Sequence, residues 1–148
     1  MDTVYIETTV VGHLVGRLHL DPAIAARQQA TRKWWAMATT QYRLLVSQVV
    51  HDECGGGDPA AAKERLDVID PLALLDITDE IRDLADDLTS RGAIPLSEPR
   101  DALHIAISAV HGVQYLVTWN FKHIANATMR GRIELGVTRT SLGRRFPI

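Results

Sequence analysis

Short apolar runs recur between helix-length stretches along most of this chain, and that pattern constrains the fold more than any other feature. A strand with one wet face alternates polar and apolar residues. Runs such as Thr3-Val4-Tyr5-Ile6 and Arg43-Leu44-Leu45-Val46-Ser47 belong instead where both faces of a sheet are covered. Residues 72–77 and 114–118 read the same way, and residues 137–141 offer a last strand. The stretches between them have recognisable helix starts. Thr8 or Thr9 caps a short helix over residues 10–18, Asp21-Pro22 opens a helix to about residue 39, and Asp58-Pro59 opens another to residue 69. A brief helix covers residues 48–53. Thr78-Asp79-Glu80 begins a helix whose apolar positions Ile81, Leu84, Ala85 and Leu88 recur at helical spacing. Ser97-Glu98-Pro99 begins a largely uncharged helix to residue 111, and residues 122–135 form the last. Strands alternating with helices give an α/β fold around a central parallel sheet of about five strands. In such sheets functional groups gather beyond the carboxyl ends of the strands.

The 46% hydrophobic and 23% charged content of the 148 residues is that of an ordinary globular domain. A chain this long buries roughly 70% of its unfolded surface, so one domain over residues 1–148 suffices. Cys54 is the single cysteine, which excludes a disulfide framework and a cysteine-based zinc knuckle and points to a reducing, cytoplasmic setting. No apolar run reaches the ~18 residues a membrane helix needs, and a strand beginning at Thr3 leaves no room for a signal peptide. The net charge of −2 is unevenly spread: residues 1–50 carry +2, residues 51–101 carry −9 and residues 121–148 carry +5. The acidic stretch reads as solvated helix faces. Arg130, Arg132, Arg139, Arg144 and Arg145 form a cationic edge able to steer a polyanion.

Three of the strands run directly into polar residues. The first ends at Glu7, the second leads through a helical turn to Glu53, and the fourth ends at Thr118-Trp119-Asn120. Asp101 stands in the first turns of the helix that feeds the fourth strand. Each has an ordinary role when taken alone. Glu53 is a helix-end residue, Asp101 complements a helix dipole and Asn120 suits a turn. Together, two Glu, one Asp and one Asn fall to one edge of the sheet. Converging carboxylates repel one another, and a hard divalent cation such as Mg²⁺ or Mn²⁺ relieves that conflict by accepting carboxylate and amide oxygens. Such an ion activates water and stabilises charge on a phosphate oxygen, so the donor set points to metal-assisted phosphodiester hydrolysis.

The segments Tyr5-Ile6-Glu7-Thr8-Thr9-Val10-Val11-Gly12, Ser47-Gln48-Val49-Val50-His51-Asp52-Glu53, Asp101-Ala102-Leu103-His104-Ile105-Ala106 and Leu116-Val117-Thr118-Trp119-Asn120-Phe121 resemble the four motifs of PIN-domain ribonucleases. Many of these are VapC-type toxins of bacterial toxin–antitoxin pairs. Order and spacing match from Thr3 to about Asn126. The resemblance implies a three-layer α/β/α sandwich and a Mg²⁺- or Mn²⁺-dependent endoribonuclease. It also implies an RNA substrate, a cognate antitoxin and pairing into a homodimer. Carried over by position, Glu7, Glu53, Asp101 and Asn120 are the metal-site and catalytic residues, and the hydroxyls of Thr8, Thr9 and Thr118 orient them. Glu7 stands where the family more often has Asp. Asn120 also stands where Asp is usual, which removes one negative charge and points to a single cation.

The remaining features carry less. His104, one helical turn after Asp101, falls beside the site, whereas His51 and His123 read as bystanders and no histidine pair has zinc-site spacing. There is no phosphate-binding P-loop, dinucleotide fingerprint or nucleophile elbow. Gly55-Gly56-Gly57 reads as a helix end and loop, or as a rim of a substrate cleft. Trp34 and Trp35, adjacent on one helix, cannot face the same way; one belongs in the core and the other is left for a partner surface. Two other functions fit the same residues. One is a catalytically silent RNA- or protein-binding module, and the other is a phosphatase or DNA-directed nuclease using the same oxygen cage.

Overall fold

The computed structural model describes residues 1–125 and the backbone of residues 137–139. Its strands are β1 (Thr3–Ile6), β2 (Arg43–Ser47), β3 (Ala73–Leu75), β4 (Tyr115–Val117) and β5 (Val137–Arg139). Its helices are α1 (Thr8–Leu14), α2 (Pro22–Gln41), α3 (Gln48–Cys54), α4 (Pro59–Ile69), α5 (Asp79–Ser90) and α6 (Pro99–Val110), followed by a π-helical turn, Phe121–Ala125. The helices flank a sheet ordered β3-β2-β1-β4-β5. Strands β1 to β4 are mutually parallel, with Tyr5 opposite Leu45 on one side and Leu116 on the other. The expected central parallel sheet of about five strands is found, four of its strands being parallel and β5 joining β4 antiparallel at one edge. β5 lies beside the strand that precedes it in sequence, and an antiparallel neighbour needs no crossover helix.

The central strands are dry on both faces. Val4, Tyr5, Ile6, Leu44, Leu45, Val46, Leu116 and Val117 are all buried, as their unalternating apolar sequences require. β3 departs from that pattern. It is shorter than the 72–77 run, it forms the open edge of the sheet, and Leu74 is exposed.

From β1 the chain moves outward to β2 and β3, then returns past β1 to place β4 on its other side. Right-handed crossovers put α1 to α4 on one face during the outward walk and α5 and α6 on the opposite face during the return. The contacts agree, since α1 packs on α2, α3 and α4, while α5 packs on α6. The direction of winding therefore reverses between β1 and β4, and the crevice beyond their carboxyl ends is the switch point where such sheets carry their sites.

Local signals settle the helix ends. Asp21 and Asp58 cap α2 and α4 with side-chain oxygens, and Thr78 caps α5. The triple glycine is a tied helix end: Gly55 N–H donates to the His51 carbonyl at 3.0 Å. Arg65 from α4 donates to the carbonyls of Cys54 at 2.9 Å and Gly56 at 2.6 Å. The acidic stretch is solvated, as expected, with exposed pairs Lys63–Asp67, Arg82–Asp79 and Arg91–Asp87 along helix faces. The tryptophan pair corrects the expectation of one core and one open ring. Trp34 and Trp35 are both partly buried against the core, edge to face with centroids 6.3 Å apart. Of the helix expected over residues 122–135, only the π-helical turn falls among the described residues, and Arg130, Arg132, Arg144 and Arg145 lie outside them. Among the described residues no helix is long and apolar enough to cross a membrane.

Candidate functional site

β1 delivers Glu7 to the switch point. Its backbone N–H donates to the Val117 carbonyl at 3.2 Å, which joins the ends of β1 and β4. The side chain is 3% exposed, and Oε1 accepts from Thr9 Oγ1 at 2.5 Å and Thr118 Oγ1 at 2.6 Å. Those two hydroxyls do more than orient a carboxylate. Thr9 Oγ1 also accepts the Trp119 backbone N–H at 2.9 Å, and Thr118 Oγ1 accepts the Asn120 N–H at 2.9 Å. The expected capping of α1 by Thr8 or Thr9 is corrected, since α1 has no side-chain cap. Both hydroxyls are drawn to carboxylates instead, because a charged acceptor forms a stronger hydrogen bond than an amide donor offers.

Glu53, near the end of α3, receives the other threonine. Its Oε1 accepts from Thr8 Oγ1 at 2.7 Å and from His104 Nε2 at 2.7 Å. Burial pushes the Glu53 carboxyl up, but the His104 hydrogen bond and charge, then Thr8 and Arg100, outweigh it and hold the group below its ordinary value. Since Thr8 and Thr9 are consecutive, one turn of chain at the start of α1 holds both glutamates.

Asn120 and Asp101 meet on the other side. Asn120 Nδ2 donates to Asp101 Oδ2 at 3.2 Å, and the same oxygen contacts His123 Nδ1 at 3.0 Å. Asn120 Oδ1 in turn accepts the His123 backbone N–H at 2.9 Å, which fixes the first turn of the π-helical segment. Trp119 anchors this strand end. Its indole N–H donates to Thr31 Oγ1 at 2.9 Å, and Arg27 lies 5.5 Å over its ring.

A continuous chain of hydrogen bonds and adjacent residues thus connects all four expected site residues, running from Glu53 through Thr8 and Thr9 to Glu7, then Thr118, Asn120 and Asp101. His104 joins it at Glu53. Two further residues belong here that the sequence reading passed over. Glu98, Asp101 and His123 offer ligand atoms within 4.8 Å of one another, a grouping able to hold a cation that includes neither Glu7 nor Glu53. Glu98 reads in the sequence as part of a helix start, but it makes no side-chain cap to α6. His123 reads there as a bystander, although its spacing of three from Asn120 is that of a side chain capping a turn, which would have placed it.

The donor set suits a hard cation. Glu7 is a buried carboxylate with two hydroxyl donors, and no cationic side chain pairs with it among the described residues. A buried charge without a counter-charge is costly, and a bound cation removes that cost. The oxygens Oε2 of Glu7, Oε2 of Glu53 and Oδ1 of Asp101 have no hydrogen-bond partner among the described residues, while the opposite oxygen of each is held.

No family model matches the chain, and no curated protein matches it. Among solved structures, a chain of VapBC2 from Rickettsia felis, crystallised bound to a DNA fragment from their promoter, superposes with a TM-score of 0.56. It is 14% identical, over 84% of this chain and 92% of that one. At this identity the likeness is one of fold: the mixed α/β architecture described above is shared with a component of a VapBC complex.

Proposed function

We propose that the protein is a Mg²⁺- or Mn²⁺-dependent endoribonuclease acting as the toxin of a toxin–antitoxin pair. The observation that carries this reading is the buried Glu7 at the switch point, without a cationic partner among the described residues and tied into one net with Glu53, Asp101 and Asn120. Glu7, Glu53 and Asp101 would hold the cation through the oxygens left without a partner among the described residues, with Asn120 beside them, although the ligand atoms that already lie within 4.8 Å of one another are those of Glu98, Asp101 and His123. When bound, the ion supplies positive charge toward a phosphate oxygen and acidity to water. The chain's own residues do the rest. Thr8, Thr9 and Thr118 fix one oxygen of each glutamate so that the other is offered without reorganisation. Asn120 and His123 do the same for Asp101. The four motif resemblances, together with the fold shared with a VapBC2 chain, support the toxin role and an antitoxin partner, while pairing of two copies rests on the motif resemblances alone.

The test is cleavage of a single-stranded RNA, and of a DNA of the same sequence, with Mg²⁺, with Mn²⁺ and with chelator. The expected result is internal cleavage of RNA only, dependent on the cation and reduced about 100-fold or more by Glu7→Gln or Asp101→Asn. RNA binding without cleavage under either cation would sink the nuclease reading in favour of a silent binding module.

A further inference from the structure

Behind Glu53 runs a buried polar chain to which the cation proposed above assigns no ligand. His104 on α6 is fully buried with both ring nitrogens engaged, Nε2 at 2.7 Å from Glu53 Oε1 and Nδ1 at 2.8 Å from the Tyr5 hydroxyl. The Tyr5 hydroxyl in turn lies 2.7 Å from Ser47 Oγ, and both residues are fully buried. β1, β2, α3 and α6 each contribute one member. A phenylalanine at position 5 would fill the same core space. The hydroxyl therefore needs a reason, since a buried polar group is costly unless bonded.

The chemistry of the end group orders the protons. An ionised carboxylate only accepts, so His104 Nε2 carries the hydrogen. In the neutral ring Nδ1 is then an acceptor, and Tyr5 donates to it. The Tyr5 oxygen, having spent its proton, accepts from Ser47. Burial raises the Tyr5 phenol far above its ordinary range, so it stays a donor. Every member is satisfied in one direction only, from Ser47 to Tyr5 to His104 to Glu53, as long as the imidazole is neutral.

We propose that Tyr5 and Ser47 are positioning residues that act through His104, fixing the orientation of the ring whose Nε2–H tautomer Glu53 sets, and so holding Glu53 Oε1, which leaves Oε2 as the oxygen Glu53 offers a cation. Only the last step rests on the function proposed above; the tautomer stands on the hydrogen bonds alone. Two measurements on the intact protein test it, and neither uses RNA. Nitrogen-15 NMR of histidine-labelled, metal-free protein reads the His104 tautomer directly. The expected state is Nε2–H in the wild type, kept in Tyr5→Phe but with the Nδ1 resonance moved to that of an acceptor nitrogen that has lost its hydrogen bond. Calorimetric titration with Mn²⁺ supplies the second readout. Tyr5→Phe should weaken binding about tenfold. In His104→Gln the introduced amide donates to Glu53 without help from position 5, so adding Tyr5→Phe to that variant should cost nothing more. An Nδ1–H tautomer in the wild type overturns the proposal. Equal losses from Tyr5→Phe in both backgrounds also overturn it, because the hydroxyl would then act through packing. If His104→Gln does not fold, the Nδ1 resonance decides alone, and one that does not move in Tyr5→Phe overturns the proposal. Absence of RNA cleavage would count against the proposed function and leave this inference untouched.

Discussion

Glu7 and Glu53 stand at the same edge of the sheet, yet they are held by different chemistry. Glu7 is solvated by two neutral hydroxyls, whereas Glu53 has His104 and the charge of Arg100 as well. That difference predicts which of them shapes stability against pH. The folded carboxyl of Glu53 lies below its unfolded value, so its contribution is present above the ordinary carboxylate range and is lost as pH falls through the depressed folded value. Glu53→Gln should therefore flatten the acid limb of stability, measured as the urea midpoint between neutral pH and about pH 3. Wild-type and variant curves that stay parallel would contradict it. At this scale the sequence is partly legible. Strands that run straight into Glu7 and Asn120 reveal those two positions because Glu and Asn are out of place at apolar strand ends, and Asp101 shows only as an acidic group in a helix first turn. Glu98 and His123 stay hidden because a helix-start glutamate and a lone histidine have ordinary local uses. Tyr5 reads as a core ring, because a sequence shows the ring but not the company its hydroxyl keeps.

Among elements, the helix ends are legible wherever the cap is local. Asp21-Pro22, Asp58-Pro59 and Thr78 carry their partners within three residues. Thr8 and Thr9 mimic caps in the sequence because the acceptor of Thr8 lies 45 residues away. The antiparallel direction of β5 is not legible either, since a three-residue strand carries no mark of direction. The loop after α3 shows a local rule at work: Gly57 has φ +78°, a conformation side chains rarely adopt, while the neighbouring carbonyls are held by Arg65. Gly57→Ala should cost about 1–2 kcal/mol, read as a lower urea midpoint with an unchanged slope. Unchanged stability would show that this loop relaxes freely and that the Arg65 bonds do not hold it.

For the whole molecule, the winding of the chain explains why residues so far apart in sequence meet. The reversal between β1 and β4 opens the crevice, and the turn of chain at Thr8 and Thr9 draws both glutamates into it. The site itself is acidic, so on the function proposed above guidance of an RNA backbone would fall to cations elsewhere, and residues 121–148 carry the excess of positive charge. Arg144→Gln with Arg145→Gln should weaken RNA binding and lower the slope of log affinity against log salt by roughly 1 to 2, with cleavage at saturating RNA little changed. An unchanged slope would place the RNA path elsewhere. The central claim is that Glu7, Glu53, Asp101 and Asn120 form one cation centre. Calorimetric titration of Mn²⁺ into the metal-free protein tests it most directly. The account predicts a stoichiometry near one, with binding lost in both Glu7→Gln and Asp101→Asn. Two tight sites would contradict it, and so would binding that Asp101→Asn removes and Glu7→Gln leaves intact, which would confine the ion to Glu98, Asp101 and His123.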